Sequence, residues 1–223
     1  MNPKRTHAQI INRQPLNERI TCITLRPDEF IAYESGQYLD IILEGERLSY
    51  SIATAPLGFT TYDLHIRNHP ALTKTNDVII ELPFGDCTLK ALEPIKPLIF
   101  IAGGTGFAPV HAMIQQLHAQ HDPRPIELYW NVRSKEDLYF QERINTWQTT
   151  LSSFYYISHI SPRKNNTGYK QIITRHKKNL EQIQIVLAGP FEMVYNIRDE
   201  LISHGVKSTQ LFSDAFSFEK YKT

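Results

Sequence analysis

The sequence has little cysteine: of its 223 residues only Cys22 and Cys87 are cysteines. They form no CxxC pair and no iron–sulfur ligand spacing, which argues against redox-pair and cluster chemistry. We interpret both as small buried hydrophobic residues and expect a reducing, cytoplasmic setting. The histidines make no ligand cluster either, so the sequence predicts no metal site.

The sequence also lacks an excess of one charge. Lysine and arginine total 24 and aspartate and glutamate 23, a formal net charge of +1. Such a chain has no bulk attraction to nucleic acid or to an anionic membrane, and neither is an expected partner. No apolar run is long enough to span a bilayer, and the first residues lack the apolar core of a secretory signal.

The first portion of the chain alternates apolar and polar residues and is rich in β-branched residues, which predicts strands. Turn residues such as Glu44-Gly45 and Pro83-Phe84-Gly85 separate them. The predicted strands are 20–25, 38–43, 50–53, 62–66 and 78–82. Several short strands with no strong helix between them predict a small antiparallel β-barrel.

After residues 94–97 the pattern changes to strands that alternate with helices. The predicted strands are 98–102, 126–132, 154–160, 183–188 and one near 210–212. The predicted helices are 108–120, 137–151, a weaker one within 169–180, and 191–204. This alternation predicts a doubly wound α/β domain, a parallel sheet with helices on both faces. The polar residues 163–166 predict a solvated loop.

One segment points to a ligand: the buried apolar run 98–102, then Gly103-Gly104-Thr105-Gly106, then a helix. We call these four residues the glycine turn. Glycines allow close approach of the backbone to a bulky anion, and the helix N-terminus supplies unpaired N–H groups and a partial positive charge. The segment has neither Walker A nor GxGxxG spacing. It predicts a pyrophosphate site and therefore a nucleotide-using enzyme.

Two blocks, Ile-Ala-Gly-Gly-Thr-Gly-Phe-Ala-Pro at 101–109 and Leu-Ala-Gly-Pro-Phe-Glu-Met at 187–193, together with the barrel-then-sheet order, resemble the ferredoxin–NADP reductase superfamily. The ending Leu-Phe-Ser-Asp-Ala-Phe at 211–216 is similar to its NAD(P)H–flavin reductase branch. The resemblance implies a flavin-binding β-barrel domain over residues 1–94 and an NAD(P)H-binding α/β domain over residues 95–223. It implies hydride transfer from NADH or NADPH to a flavin, which could be FMN, FAD or riboflavin.

The resemblance also implies roles in the second domain. Gly103, Gly104, Thr105 and Gly106 would cradle the pyrophosphate, and Pro109 would shape the start of the helix. Gly189 and Pro190 would border the nicotinamide at the end of the neighbouring strand. Many relatives have a cysteine where this chain has Ala188, so we expect no thiol chemistry there.

On the flavin side the resemblance implies that the ring of Tyr50 packs on the isoalloxazine. The hydroxyl of Ser51 would lie near flavin N5, the hydride acceptor, which makes Ser51 the candidate catalytic residue. The alternative is a barrel tyrosine and serine with no ligand. His65 is a further candidate for contact with the cofactor, although a barrel histidine is the more frequent case.

Two departures from the family pattern weaken the expected grip on flavin. The motif arginine would stand at position 48, but this chain has Leu48, with Arg47 one residue earlier on the opposite side of a strand unless a bulge intervenes. The connection formed by residues 68–76 is also shorter than the segment that helps to hold the flavin tail in relatives. Both departures favour a flavin that exchanges as a substrate, and they are equally compatible with a flavin-poor relative.

Three further assignments each have a plain alternative. Arg133 and Ser134 could meet an adenosine 2′-phosphate, or form a solvated helix start with Ser134 as N-cap, so the choice between NADH and NADPH stays open. Asp214 could steady the nicotinamide or only form a turn. Phe216 lies where family members close over the flavin and nicotinamide.

The function that these patterns favour is an NAD(P)H–flavin oxidoreductase with loosely held flavin. The first alternative is a reductase with bound flavin that passes electrons to a protein acceptor, a separate ferredoxin or oxygenase. The second is a catalytically inactive, nucleotide-sensing relative.

Overall fold

The computed structural model describes residues 2–161 and 168–221. The predicted loop at 163–166 lies outside these residues. The chain divides into two compact units: Met1–Leu89 with Ala108–Gln120, and Lys90–Phe107 with His121–Thr223. The predicted domains, 1–94 and 95–223, stay a prediction.

The first unit is an antiparallel barrel-like sheet of six strands in the order β4-β3-β6-β1-β2-β5. An antiparallel bridge between Ile52 and Leu64 connects the two ends of that order. The buried aliphatic side chains of alternate positions form one core. The elements are β1 (Lys4–Pro15), β2 (Ile20–Pro27), β3 (Tyr38–Leu43), β4 (Glu46–Ser51), β5 (Tyr62–Arg67), α1 (Pro70–Lys74), β6 (Asp77–Phe84) and α2 (Phe107–Ala119). The predicted barrel is confirmed.

Strand β1 is absent from the sequence prediction, although it pairs with both β2 and β6. Only Ala8 and Ile10 of its twelve residues are buried. The pairing with β2 shifts register between Ile10 and Asn12, which interrupts the alternation. A strand with two inward apolar side chains is placed by its neighbours rather than by its own pattern.

Strands β3 and β4 form a hairpin around Glu44-Gly45, which the sequence marked as a turn. Both residues have positive φ, +51° and +87°, as a two-residue type I′ turn requires. The tight turn sets the register from Leu43 opposite Glu46 to Tyr38 opposite Ser51, with no shift along the pair. This register decides which way every side chain of β4 points.

The second unit is a five-stranded parallel sheet in the order β11-β10-β7-β8-β9. Residues of α4 and α5 pack on the face that carries Tyr129, and Trp147 of α3 lies on the face of Trp130 with Phe107. The elements are β7 (Leu98–Gly103), β8 (Ile126–Val132), α3 (Gln141–Thr150), β9 (Phe154–Ile160), α4 (Gly168–His176), β10 (Gln184–Ala188), α5 (Phe191–Ser203) and β11 (Leu211–Phe212). The predicted α/β architecture is confirmed.

Both cysteines are free and buried, as predicted. Burial, with a smaller contribution from Asp63, raises the pKa of Cys22 to about 12, so this thiol is unreactive at neutral pH. Within residues 2–161 and 168–221, none of the helices combines the length and apolarity needed to cross a bilayer.

Candidate functional site

The glycine turn follows β7 directly. Gly104–Gly106 forms one 3-10 turn before α2 begins at Phe107. Gly104 has a φ of +54°, in the left-handed region that glycine enters without strain. A Cβ atom at Gly106 would lie 2.3 Å from the carbonyl oxygen of Ala188. The backbone of the turn therefore presses against the end of β10 with no room for a side chain.

The end of β10 supplies the other wall. Strand β10 pairs in parallel with β7, with Ala188 opposite Ala102. A Cβ at Gly189 would lie 2.7 Å from Met193 Cε and 3.1 Å from the Cα of Gly103. The structure thus brings Gly189 and Pro190 together with the glycine turn at the carboxyl ends of two neighbouring parallel strands, the usual ligand edge of such sheets.

This surface is built from backbone that lacks Cβ atoms, which fits the pyrophosphate of a dinucleotide. Thr105 is half-buried, and Pro109 stands in the first turn of α2, where a missing N–H leaves no intrahelical bond unmade. Their contacts with a dinucleotide stay a prediction.

One contact that stabilises the glycine turn was not predicted from the sequence. Trp130 donates its indole Nε1–H to the carbonyl oxygen of Gly104 at 3.0 Å. Its ring also stacks on Phe107, with centroids 4.0 Å apart. Trp130 is also fully buried in the core of the second unit. Its second role could not be read from the sequence, because the bond depends on how β8 lies beside β7.

Arg133 and Ser134 follow β8 at the same carboxyl edge of the sheet. Arg133 is exposed and forms no hydrogen bond or ion pair with any other residue that the structure describes. Ser134 is the N-cap of a 3-10 turn but makes no side-chain capping bond; its hydroxyl lies 3.4 Å from Oδ2 of Asp137. The structure thus has Ser134 at the N-cap position that the alternative interpretation gave it, and the 2′-phosphate role stays a prediction.

Asp214 and Phe216 follow β11. The turn there is capped by Ser213, whose hydroxyl accepts from the Ala215 N–H at 3.3 Å. Asp214 is half-buried and opens a 3-10 helix. Phe216 stacks on Tyr195 of α5 with ring centroids 6.5 Å apart, and Tyr195 donates to the carbonyl of Ala215 at 2.6 Å. This segment is therefore fixed to α5, the helix that follows Pro190.

In the first unit, β4 presents Tyr50 and Ser51 on opposite faces, as the alternation predicts. Tyr50 is half-buried and packs against the core, and this burial raises its pKa. Ser51 points the other way, opposite Tyr38 in the ladder. The Ser51 hydroxyl makes no hydrogen bond to any residue in the described part of the chain, whereas Ser49, on the same face, donates to Asp40 Oδ1 at 2.6 Å.

Arg47 lies on the face of Ser49 and Ser51, away from Tyr50. Its guanidinium donates to Asp40 Oδ2 and to Glu81 Oε2, both at 2.7 Å. The bonds to Asp40 and then to Glu81 raise the pKa of Arg47. The β3–β4 ladder has no bulge, so the bulge that the sequence left open is not formed and Arg47 stays on the side of β4 opposite to Tyr50. A flavin contact by Arg47 stays a prediction. The bonds that its guanidinium already makes to two carboxylates argue against such a contact.

Leu48 occupies the position of the motif arginine and packs, like Tyr50, against the core of the first unit. The short connection that follows β5 is also stabilised by contacts with other residues of the first unit. It folds into α1 with Leu72 buried, and Arg13 of β1 donates to the carbonyl oxygens of Leu72 and Thr75.

His65 is a buried barrel residue on β5, opposite Cys22. Its ring centroid lies 5.9 Å from that of His111 on α2. Burial, and then the neighbouring His111, hold the pKa of His65 well below its usual value. It is therefore neutral at physiological pH, and a contact with cofactor stays a prediction.

Comparison with known proteins adds three findings. The family described as oxidoreductase NAD-binding domain matches residues 100–199. The reductase of CDP-6-deoxy-L-threo-D-glycero-4-hexulose-3-dehydrase from Yersinia pestis is 31% identical over 90% of this chain, which spans 65% of that protein's length. The NAD(P)H-flavin reductase of Vibrio harveyi is 28% identical over 92% of this chain and 95% of its own length.

Among solved structures, the ferredoxin-NADP+ reductase of Plasmodium falciparum superposes with a TM-score of 0.80 at 16% identity. The match covers 94% of this chain and 95% of that one. At this identity the likeness shows the fold alone, a barrel followed by a parallel sheet.

Proposed function

Because this chain belongs to the ferredoxin–NADP reductase superfamily, we propose that it is an NAD(P)H-dependent flavin reductase that uses flavin as an exchanging substrate. The match of residues 100–199 to an NAD-binding oxidoreductase family and the likeness to NAD(P)H-flavin reductases support an oxidoreductase that uses NAD(P)H and a flavin. That the flavin exchanges, and which flavin is used, belong to the proposal.

The state of Arg47 and Leu48 carries the proposal that flavin exchanges. The guanidinium nearest the motif position is bonded to two carboxylates, and an apolar leucine holds the motif position itself. A charge-assisted hydrogen bond is worth about 1.5–3 kcal/mol. Without one to the flavin phosphate, affinity falls about ten- to a hundredfold, and FMN gains little over riboflavin.

Nicotinamide supplies a hydride and flavin accepts it at N5 when both are bound. The chain's own part is to hold and orient the two ligands. The backbone N–H groups at the glycine turn and the start of α2 would bind the pyrophosphate. The uncommitted hydroxyl of Ser51 would donate a hydrogen bond toward N5, where electron density rises. No proton relay through the protein is needed.

The test is an assay of NADH and NADPH oxidation, each with riboflavin, FMN and FAD, on protein whose flavin content has been measured. We expect little flavin to copurify and oxidation to require added flavin, with similar KM values for riboflavin and FMN. Stoichiometric bound flavin, with activity independent of added flavin, would contradict the proposal. Dinucleotide binding without oxidation would favour the inactive relative.

The 31% identity to the Yersinia pestis reductase favours a second candidate, electron transfer to a separate protein. In that case a bound flavin would be reduced by NAD(P)H and would then reduce a ferredoxin or an oxygenase component. A yellow protein that reduces a ferredoxin faster than it reduces free flavin would support this candidate over the first.

A further inference from the structure

Helix α2, itself part of the first unit, contacts the barrel on both sides of the Tyr38–Ser51 pair. Before Tyr38, the buried hydroxyl of Ser35 donates to the carbonyl of Ala112 at 3.2 Å. A Cβ at the next residue, Gly36, would lie 2.4 Å from Met113 Cε, so the helix packs there at close range. These contacts with α2 therefore fix the segment that leads into β3.

The same helix holds the segment that follows Ser51. His111 Nδ1 lies 2.8 Å from the carbonyl oxygen of Ala53, and since a carbonyl only accepts, the ring nitrogen is the donor. One turn further along, Gln115 Oε1 accepts from the Ala55 N–H at 3.0 Å. The two side chains stand at i and i+4 and therefore share one helix face.

The rest of this segment is fixed as well, since Ile52, Ala53, Thr54 and Ala55 are all buried. The Ile52 N–H donates to Gln37 at 3.0 Å and the Ala53 N–H to Asp63 at 2.7 Å, both on carbonyl oxygens. The bonds from α2 add partners for the Ala53 carbonyl and the Ala55 N–H. Support of this kind helps the hydroxyl of the preceding residue, Ser51, to keep one position.

We propose that His111 and Gln115 are positioning residues for Ser51, acting through the backbone of Ala53 and Ala55. The inference rests on the proposed function, in which Ser51 meets flavin N5. Helix α2, which begins directly after the glycine turn, has a second role in this proposal. It holds the end of β4, which carries the Ser51 hydroxyl. Neither side chain touches the reacting atoms in this scheme.

The experiment measures the single-turnover rate constant of hydride transfer at saturating NAD(P)H and flavin, followed by the loss of nicotinamide absorbance. A first-order rate constant does not depend on the folded fraction, so a merely structural role would leave it unchanged. We expect His111→Leu and Gln115→Leu each to lower it about tenfold, because a small misplacement slows a transfer that depends on alignment. Dinucleotide affinity should stay within about twofold.

His111→Asn is the rescue variant, since its amide Nδ2–H stands where the imidazole Nδ1–H does, and it should restore most of the rate. Gln116→Leu, on the adjacent residue of the same helix, is the matched control and should leave the rate unchanged. If His111→Leu does not fold, Gln115→Leu against Gln116→Leu decides. Wild-type rates in the two Leu variants, or equal loss in His111→Leu and His111→Asn, would overturn the inference, whereas inactive wild-type protein would overturn the proposed function instead.

Discussion

The two candidate ligand surfaces differ in what they are made of. In the second unit the surface is backbone: the glycine turn against Ala188 and Gly189, with positions where a Cβ would lie 2.3–3.1 Å from its neighbours. In the first unit it consists of side chains on β4, and their direction depends on the register of one hairpin. A backbone site can be read from the order of residues, whereas a side-chain site requires knowing which face each residue occupies.

The position of Arg47 shows how much a side-chain site depends on the face that each residue occupies. One residue of offset placed its guanidinium among Asp40 and Glu81 instead of beside Tyr50. Glycines cannot be misdirected in this way because they have no side chain to misplace. We therefore expect substitutions in the glycine turn to act through shape, and substitutions on β4 to act through the identity of single groups.

The largest effect is expected from Gly106→Ala. The added Cβ would lie 2.3 Å from the Ala188 carbonyl oxygen, and the turn must move to admit it. We predict a loss of about a hundredfold in kcat/KM for NAD(P)H, with flavin affinity unchanged. Gly205→Ala is the control, because nothing lies within 4 Å of its Cβ and its φ of +97° affects stability alone. Equal kcat/KM for NAD(P)H in the two variants would show that the glycine turn is not part of the dinucleotide site.

Leu48→Arg should restore the missing anchor on the face of Tyr50. We predict that KM for FMN falls about ten- to a hundredfold relative to KM for riboflavin, which has no phosphate. Leu48→Gln gives the same loss of apolar packing without the charge and should leave that ratio unchanged. A ratio unaltered by Leu48→Arg would mean that the flavin phosphate lies elsewhere.

Ser51→Ala should slow turnover about tenfold, the value of one hydrogen bond of about 1.4 kcal/mol, with a smaller change in KM for flavin. Ser49→Ala is matched in residue type, strand and face, but its hydroxyl is bonded to Asp40. We expect Ser49→Ala to leave turnover unchanged. If Ser51→Ala also turns over at the wild-type rate, Ser51 has no part in the reaction.

The smallest kinetic effect is expected from Glu127→Gln, at the opposite end of the parallel sheet. Glu127 is buried and accepts from Arg175 Nε at 2.7 Å and from Tyr129 Oη at 2.8 Å. Burial pushes the pKa of Glu127 upward. The contact with His176, whose Nε2 lies 3.2 Å from Oε2, and the hydrogen bonds from Arg175 and Tyr129 outweigh burial and leave the pKa below its ordinary 4.5.

A carboxyl group with a lowered folded-state pKa stabilises the fold above its unfolded pKa and loses that contribution as pH falls through the folded value. Glu127→Gln should therefore cost about 1–3 kcal/mol near neutral pH, and less on acidification below pH 4.5. Denaturant unfolding across pH measures this. A pH-independent difference, or altered kinetics, would contradict the purely structural role.

Sequence reasoning succeeded where local pattern and final environment agree. The strands 126–132 and 154–160 match β8 and β9 residue for residue. β8 is buried throughout and β9, at the edge of the sheet, is mostly half-buried, but both are rich in the β-branched and aromatic residues that favour strands. The family resemblance placed Gly189 at the end of the strand beside the glycine turn, and the structure brings the two together there. In each case a short segment contained the whole signal.

It failed where the environment comes from elsewhere in the chain. Strand β1 has two buried side chains and is held by pairing with β2 and β6, which no local pattern contains. The bonds of His111 to Ala53 and of Trp130 to Gly104 join residues distant in sequence. With one sequence, the contacts that hold the ligand surfaces in place are therefore the least predictable part.

The most direct measurement is an anaerobic titration of flavin-free protein with riboflavin in the presence of excess NADH or NADPH, following both chromophores. The account predicts that one flavin is reduced for each nicotinamide oxidised, that the rate saturates with riboflavin, and that nothing is oxidised before riboflavin is added. Nicotinamide oxidation that proceeds without added flavin, or riboflavin that stays oxidised with both nicotinamides, would contradict it.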